Sequence, residues 1–226
     1  MLNTLVIAAH PDDDILGCGG YIAKNSHHEN IKVIFIAEGT SCRYTEINTP
    51  EVTEEINFRN TCGIKALNYL GVEDIEFFDL PCGRLDSTPI IEINKIIESI
   101  IREFKPNKIF THAKNDLNRD HRIIHESTMM ACRPIAFNFI KEIFSFEILS
   151  SSEWNYARQF CPNYFVELTS VQVEKKWKAL AFYHSEIAEY PHPRSREGLY
   201  NLSKQRGLQV GRHFAEAYEL IRKLEC

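Results

Sequence analysis

A chain of 226 residues with 31 acidic against 26 basic side chains and a formal charge of −5 has no basic stripe to neutralise a phosphate backbone, which argues against nucleic acid and for small-molecule partners. No apolar run approaches the roughly 20 residues of a membrane helix, and the first residues lack a signal peptide's basic start, so a soluble, cytoplasmic protein is expected. Seven cysteines without a Cys-x-x-Cys pair read as reduced, mostly buried thiols rather than a disulfide framework or a zinc ribbon.

Residues 2–9 read as a buried strand that stops at His10-Pro11-Asp12-Asp13-Asp14, and Ile15 to about Asn25 as a helix entered through Gly17-Cys18-Gly19-Gly20. A second strand, Ile31 to Ala37, ends in loop chemistry at Glu38-Gly39-Thr40-Ser41, and a long helix from Pro50 to Leu70 is stopped by Gly71. Glu76 to Asp79 is a short strand. Ile90 to Phe104 carries Ile93, Ile96, Ile97, Ile100 and Ile101 at helical spacing and ends at Pro106, before a buried strand from Lys108 to His112. A polar loop, Ala113 to Arg119, leads into a helix that begins near Asp120 and stops before Pro134. Residues 142–149 and 164–168 read as strands, Val171 to Tyr183 as a helix, Glu189 to Ser195 as an irregular loop fixed by Pro191 and Pro193, and Leu199 to Gly207 as a helix. Short β-branched runs alternating with amphipathic segments specify α/β units around a mostly parallel sheet flanked by helices. With no repeat or linker, residues 1–226 are expected to form a single domain.

The chemistry concentrates where the first strand ends. Three adjacent carboxylates beside an imidazole would repel one another without a cation, and at least one would be driven toward its protonated form. Helix capping explains one acid of the three. His10 and Asp13 converge across a strand-to-helix turn, and a catalytic zinc site needs a third protein ligand. His121 is the best candidate, because it follows a similar strand and closes the polar run Asn115-Asp116-Leu117-Asn118-Arg119-Asp120. His125, at i+4 from His121, lacks the glutamate of a His-Glu-x-x-His site and reads as structural. Two nitrogens and one carboxylate favour zinc, and iron(II) suits the same set.

Ala9-His10-Pro11-Asp12-Asp13 before a glycine-rich helix start, and Asp120-His121 after a strand ending Phe110-Thr111-His112, resemble the PIG-L/LmbE-like family of metal-dependent N-acetylglucosaminyl de-N-acetylases. The resemblance extends to the helix around Arg59, the strand from Pro106 to His112 and the Pro-His-Pro-Arg-Ser loop. It implies a Rossmann-like fold, a zinc ion held by His10, Asp13 and His121, and Asp12 as general base.

The chain departs from the family's common His-Pro-Asp-His pattern, because Asn118 stands where a histidine is usual. Asn118 can donate a hydrogen bond to an oxyanion but supplies no proton. His192, His112 or Asp12 itself must therefore protonate the leaving amine. Asp14 is expected to steady His10 or the helix start. Cys62 replaces a frequent glutamate, so an Arg59–Glu pair is expected to be missing. Arg59 and Arg194 are candidate partners for a phosphate or carboxylate on the substrate, with Trp154 as part of a sugar-binding wall.

These readings specify a zinc-dependent hydrolase that removes the N-acetyl group from an acetamido sugar or an activated sugar conjugate. The alternatives are a sugar-binding or regulatory module of the same fold, catalytically weakened by Asn118, and a metal phosphoesterase. The sequence leaves formation of a homo-oligomer open.

Overall fold

The computed structural model describes residues 1–225. Seven strands join one sheet in the order β3-β2-β1-β4-β5-β7-β6. In chain order the principal elements are β1 (Leu2–Ala8), α1 (Asp13–Asn25), β2 (Glu29–Ala37), α2 (Pro50–Tyr69), β3 (Asp74–Leu80), α3 (Ile90–Phe104), β4 (Lys108–His112) and α4 (Arg119–Ala131). They are followed by β5 (Glu142–Phe146), β6 (Tyr164–Leu168), α5 (Ser170–Leu180), α6 (Arg196–Leu208) and β7 (Phe214–Lys223). β1 to β5 run parallel, so the α/β class read from the sequence is the one observed.

Side chains alternate across β1, and the two sets feed two cores. Val6 and Ala8 pack with Phe110, Phe144 and the inner faces of α1, α2 and α5, whereas Leu5, Ile7 and Ala9 meet Ile93, Ile97 and Ile101 of α3 and Ile124 of α4. Helices therefore cover both faces, and the central strands are buried on both sides. α1 lies unusually close to the sheet. A Cβ at Gly17 would enter the ring of Phe146 and one at Gly20 would strike Leu168 and Glu216, so glycine is what permits this approach.

Side-chain capping explains the starts of α2, α4, α5 and α6. Thr49 accepts from the Val52 amide ahead of Pro50, and Thr169 forms a reciprocal capping box with Gln172. Lys105 takes a left-handed conformation that ends α3 before Pro106.

The main departure from the sequence reading is β7, to which no element was assigned. It runs antiparallel between β5 and β6, and so separates two strands that are consecutive in the chain. Its buried Glu216 interrupts the apolar alternation that marks a strand. That carboxylate accepts from the Gly20 and Tyr21 amides at 2.7 and 2.6 Å and from Lys176 Nζ at 2.6 Å, and thereby ties β7 to α1 and α5. Smaller shifts occur at ends. The strand expected over 142–149 stops at Phe146, and α6 starts after the Ser195 cap, ahead of Leu199.

The crossover after β3 carries the chain past β1 to β4, so β1 and β4 are neighbours with connections leaving in opposite directions. The crevice outside their carboxyl ends is where open α/β sheets place ligands. His10 follows β1 and His112 ends β4. Among the described residues no helix is long and apolar enough to cross a membrane.

Candidate metal centre

The turn after β1 is closed by its own residues. The His10 amide donates to Asp13 Oδ2 at 2.9 Å and the Asp13 amide to the His10 carbonyl at 3.2 Å. Between them Asp12 has φ 122°, a conformation that side chains rarely adopt. It turns the Asp12 carboxylate away from that of Asp13, so that neighbouring acids face different partners. On the β4 side, Asn118 caps α4 by accepting from the Asp120 amide at 2.9 Å, which sets Asp120 and His121 in the first helical turn.

Three donor atoms from the turn after β1, from α1 and from α4 converge. Asp13 Oδ2 stands 3.2 Å from His10 Nδ1 and 3.3 Å from His121 Nε2, and all three residues are buried. Each imidazole has a carboxylate on its other nitrogen: Asp120 Oδ2 lies 3.0 Å from His10 Nε2, and Asp116 Oδ1 lies 3.0 Å from His121 Nδ1. These carboxylates are themselves held. Asp116 accepts from both Ser151 and Ser152 and from the Asn118 amide, and Asp120 accepts from the Gly83 and Leu85 amides at 2.6 and 3.3 Å.

The donor set fits a divalent ion on two observations. The Nε2 of the buried His121, the nitrogen that faces Asp13, has no aligned hydrogen-bond partner, a costly state for an imidazole nitrogen unless it serves as a ligand. The charge balance agrees. Burial opposes charge on His10, but hydrogen bonds to Asp120 and Asp13 outweigh it and raise the imidazole to about 9. Burial likewise opposes charge on His121, yet Asp13 and Asp116 raise it to about 10. Asp13 is held well below the ordinary carboxylate range by the imidazoles of His121, His112 and His10 against the cost of burial. The buried carboxylates thus favour positive charge in the pocket, which protons or a divalent cation supply.

His112 has a different role from the one suggested for it. It is fully buried, its Nε2 accepts the Ala9 amide at 2.8 Å, and its ring stacks on His121 with centroids 4.0 Å apart. Burial and the neighbouring His121 hold its pKa well below normal, and its ring forms a wall behind His121. His125 donates from Nδ1 to the His112 carbonyl at 2.8 Å, a structural role that matches the sequence reading. Asp14 does not touch His10. It accepts from the Asp12 amide at 3.3 Å at the start of α1, where burial raises its pKa well above the carboxylate norm.

Asp12 is the centre of a second cluster. Its Oδ2 lies 2.8 Å from Arg194 Nη1 and 3.2 Å from Arg59 Nη2. Glu186 bridges the same arginines, 2.5 Å from Arg59 Nη1 and 3.3 Å from Arg194 Nη1, and also meets Arg43 at 2.5 Å. The Arg–Glu pair expected to be missing therefore exists, with Glu186 supplying the acid from far along the chain. Arg59 is buried and also donates to the Pro11 carbonyl at 3.0 Å, so its guanidinium is shared among Pro11, Asp12 and Glu186. Arg194 additionally donates to Ser150 Oγ at 2.6 Å.

His192 lies two residues before Arg194, where its Nδ1 accepts the Arg194 amide at 3.1 Å and its ring meets Trp154 edge-on, centroids 6.4 Å apart. Trp154 is 40% exposed and Asn118 is exposed at the start of α4. A cavity of about 390 Å³ opens beside the cluster, lined by Arg43, Arg59, Glu54, Glu55 and Phe58. Sequence reasoning missed Asp116, Asp120 and Glu186. The first two lie inside the polar run that drew attention to His121, but Glu186 carries no local signal.

Comparison with known proteins gives the chain's family and fold. The family model described as GlcNAc-PI de-N-acetylase (PIG-L) matches residues 5–132. The protein of Escherichia coli strain K12 described as the uncharacterized deacetylase YaiS is 30% identical over 139 residues, 58% of this chain and 68% of that one. Among solved structures, the N,N'-diacetylchitobiose deacetylase from Pyrococcus horikoshii superposes with a TM-score of 0.77 at 21% identity, over 97% of this chain and 84% of that one. GalB, the 4-carboxy-2-hydroxymuconate hydratase from Pseudomonas putida KT2440, superposes with a TM-score of 0.76 at 21% identity, over 100% of this chain and 98% of that one. At such identities the superpositions show a shared fold.

Proposed function

Since the chain belongs to the PIG-L family of GlcNAc-PI de-N-acetylases, we propose that it is a metal-dependent deacetylase that hydrolyses the acetamide of an amino sugar or sugar conjugate. The observation that carries this reading is the convergence of His10 Nδ1, Asp13 Oδ2 and His121 Nε2 at the carboxyl edge of β1 and β4. Zinc suits two imidazoles and one carboxylate, with iron(II) as the alternative. A divalent ion held there lowers the pKa of a coordinated water and polarises a carbonyl oxygen.

The chain's own residues perform the remaining steps. Asp12 takes the proton of the attacking water. Burial raises its pKa, and Arg59 and Arg194 temper that rise, so it remains a usable base. Both arginines hold Oδ2, and Oδ1 is the atom that receives the proton. Asn118 donates through its amide to the developing oxyanion. His192 delivers a proton to the leaving amine. Its Nδ1 already accepts the Arg194 amide, which places the ring proton on Nε2. Trp154, edge-on to His192, contacts the rest of the sugar, and Arg194 supports Asp12. Arg59 serves as a positioning residue for Asp12.

Acetate release from N-acetylglucosamine and its phosphorylated and glycosidic conjugates tests the reading. Release that stops with a chelator and with Asp12→Asn supports it. Absence of acetate from every acetamido sugar, or release untouched by a chelator, refutes it, and phosphate release instead would favour the phosphoesterase alternative.

A further inference from the structure

Two thiols face each other across neighbouring loops. Cys42 lies in the short turn Ser41–Arg43 after β2, and Cys82 in the turn after β3, the strand next to β2. Cys82 Sγ donates to Cys42 Sγ at 3.1 Å. Cys42 is exposed and Cys82 is buried.

The surrounding residues enforce this approach. Glu38 accepts from the Thr40 and Ser41 amides on one loop and from the Cys82 amide at 2.8 Å on the other, so one carboxylate staples both. Gly83 has φ +71°, and a Cβ there would stand 3.1 Å from Cys42 Cβ. The same loop reaches the metal centre, because Asp120 Oδ2 accepts from both the Gly83 amide at 2.6 Å and His10 Nε2 at 3.0 Å.

We propose that Cys42 and Cys82 form a reversible dithiol–disulfide site for small-molecule disulfides, and that its closure weakens ion binding at His10. The second half rests on the metal assignment above, and the first does not. Cys42 is the nucleophile, since it is the exposed thiol of the pair while Cys82 is buried behind it. Its thiolate attacks one sulfur of R–S–S–R, forms a mixed disulfide and expels RS⁻. Cys82 gives up its proton and attacks Cys42 Sγ, closing the intramolecular bond and expelling the second RS⁻. Two protein thiols are oxidised and one small disulfide is reduced to two thiols.

Closing 3.1 Å to a bond of about 2.05 Å draws the Cys82–Gly83 backbone toward Cys42. The Gly83 amide is then pulled from Asp120, and the carboxylate that orients His10 loses a donor.

The test is to incubate the full chain with oxidised glutathione, map crosslinked peptides by mass spectrometry, and measure zinc affinity by chelator competition before and after dithiothreitol. The expected results are a Cys42–Cys82 crosslink and zinc bound about tenfold more weakly, both reversed by the reductant and both absent in Cys42→Ser. No such crosslink overturns the site. A crosslink with unchanged zinc affinity, or equal loss of affinity in Cys42→Ser, overturns the coupling. Reduced protein that binds no zinc overturns the metal assignment and the coupling together, while the crosslink map still judges the dithiol site alone.

Discussion

Asp116 Oδ1 stands 3.0 Å from His121 Nδ1, on the opposite nitrogen from the one that meets Asp13. A carboxylate in that position fixes ring orientation and raises the basicity of the ligand nitrogen. Asp116→Asn is therefore expected to weaken divalent-metal affinity by about 10- to 100-fold, measured by chelator competition. Unchanged affinity would show that the pairing does not support the ligand.

The metal-free protein should depend on pH in two opposite ways. His10 and His121 are raised from 6.5 to about 9 and about 10, so the stability their protonated forms contribute is complete below pH 6.5 and lost as pH rises through 9 to 10. Metal ligation needs both rings neutral, so affinity should rise across that window, with proton release on binding. Calorimetry in buffers of different ionisation enthalpy would detect those protons, and binding that releases none at pH 7 would contradict the assignment.

Lys176 and Glu216 form a buried pair whose partners also hold the Leu16 carbonyl and the Gly20 and Tyr21 amides. Removing one member leaves an uncompensated buried charge. Lys176→Met should cost about 3–5 kcal/mol in urea denaturation, and the double variant Lys176→Met with Glu216→Gln should recover part of it. A single variant within experimental error of wild type would show that the pair contributes nothing.

Gly198 faces the backbone carbonyl of Pro193 so closely that a Cβ has no room. Backbone cannot swing aside as a long side chain can, so Gly198→Ala must push the 191–195 loop and with it Arg194. The expected cost is about 1–3 kcal/mol of stability, with kcat for acetate release falling more than KM rises, because Arg194 holds Asp12. Equal effects on both parameters would argue against Arg194 as a support for the base.

Much of this was legible in the sequence, for reasons that differ by residue. β1 ends in the apolar run Leu5 to Ala8, and α3 repeats isoleucine at helical spacing, so burial announces itself locally. His10, Asp13 and His121 stood out because charged residues cluster where buried strands end. β7 did not stand out, because its central Glu216 pairs with Lys176 of α5, and a buried ion pair reads from one side as a surface residue. Glu186 was invisible for the same reason. Its partners Arg43, Arg59 and Arg194 lie on three separate segments, and only folding reveals that one carboxylate balances them.

X-ray absorption at the zinc edge of metal-loaded protein tests the central claim most directly. The account predicts an inner shell of nitrogen and oxygen donors with two imidazoles, reduced to one imidazole in His121→Ala. A sulfur donor in that shell, or a spectrum unaltered by His121→Ala, would contradict it.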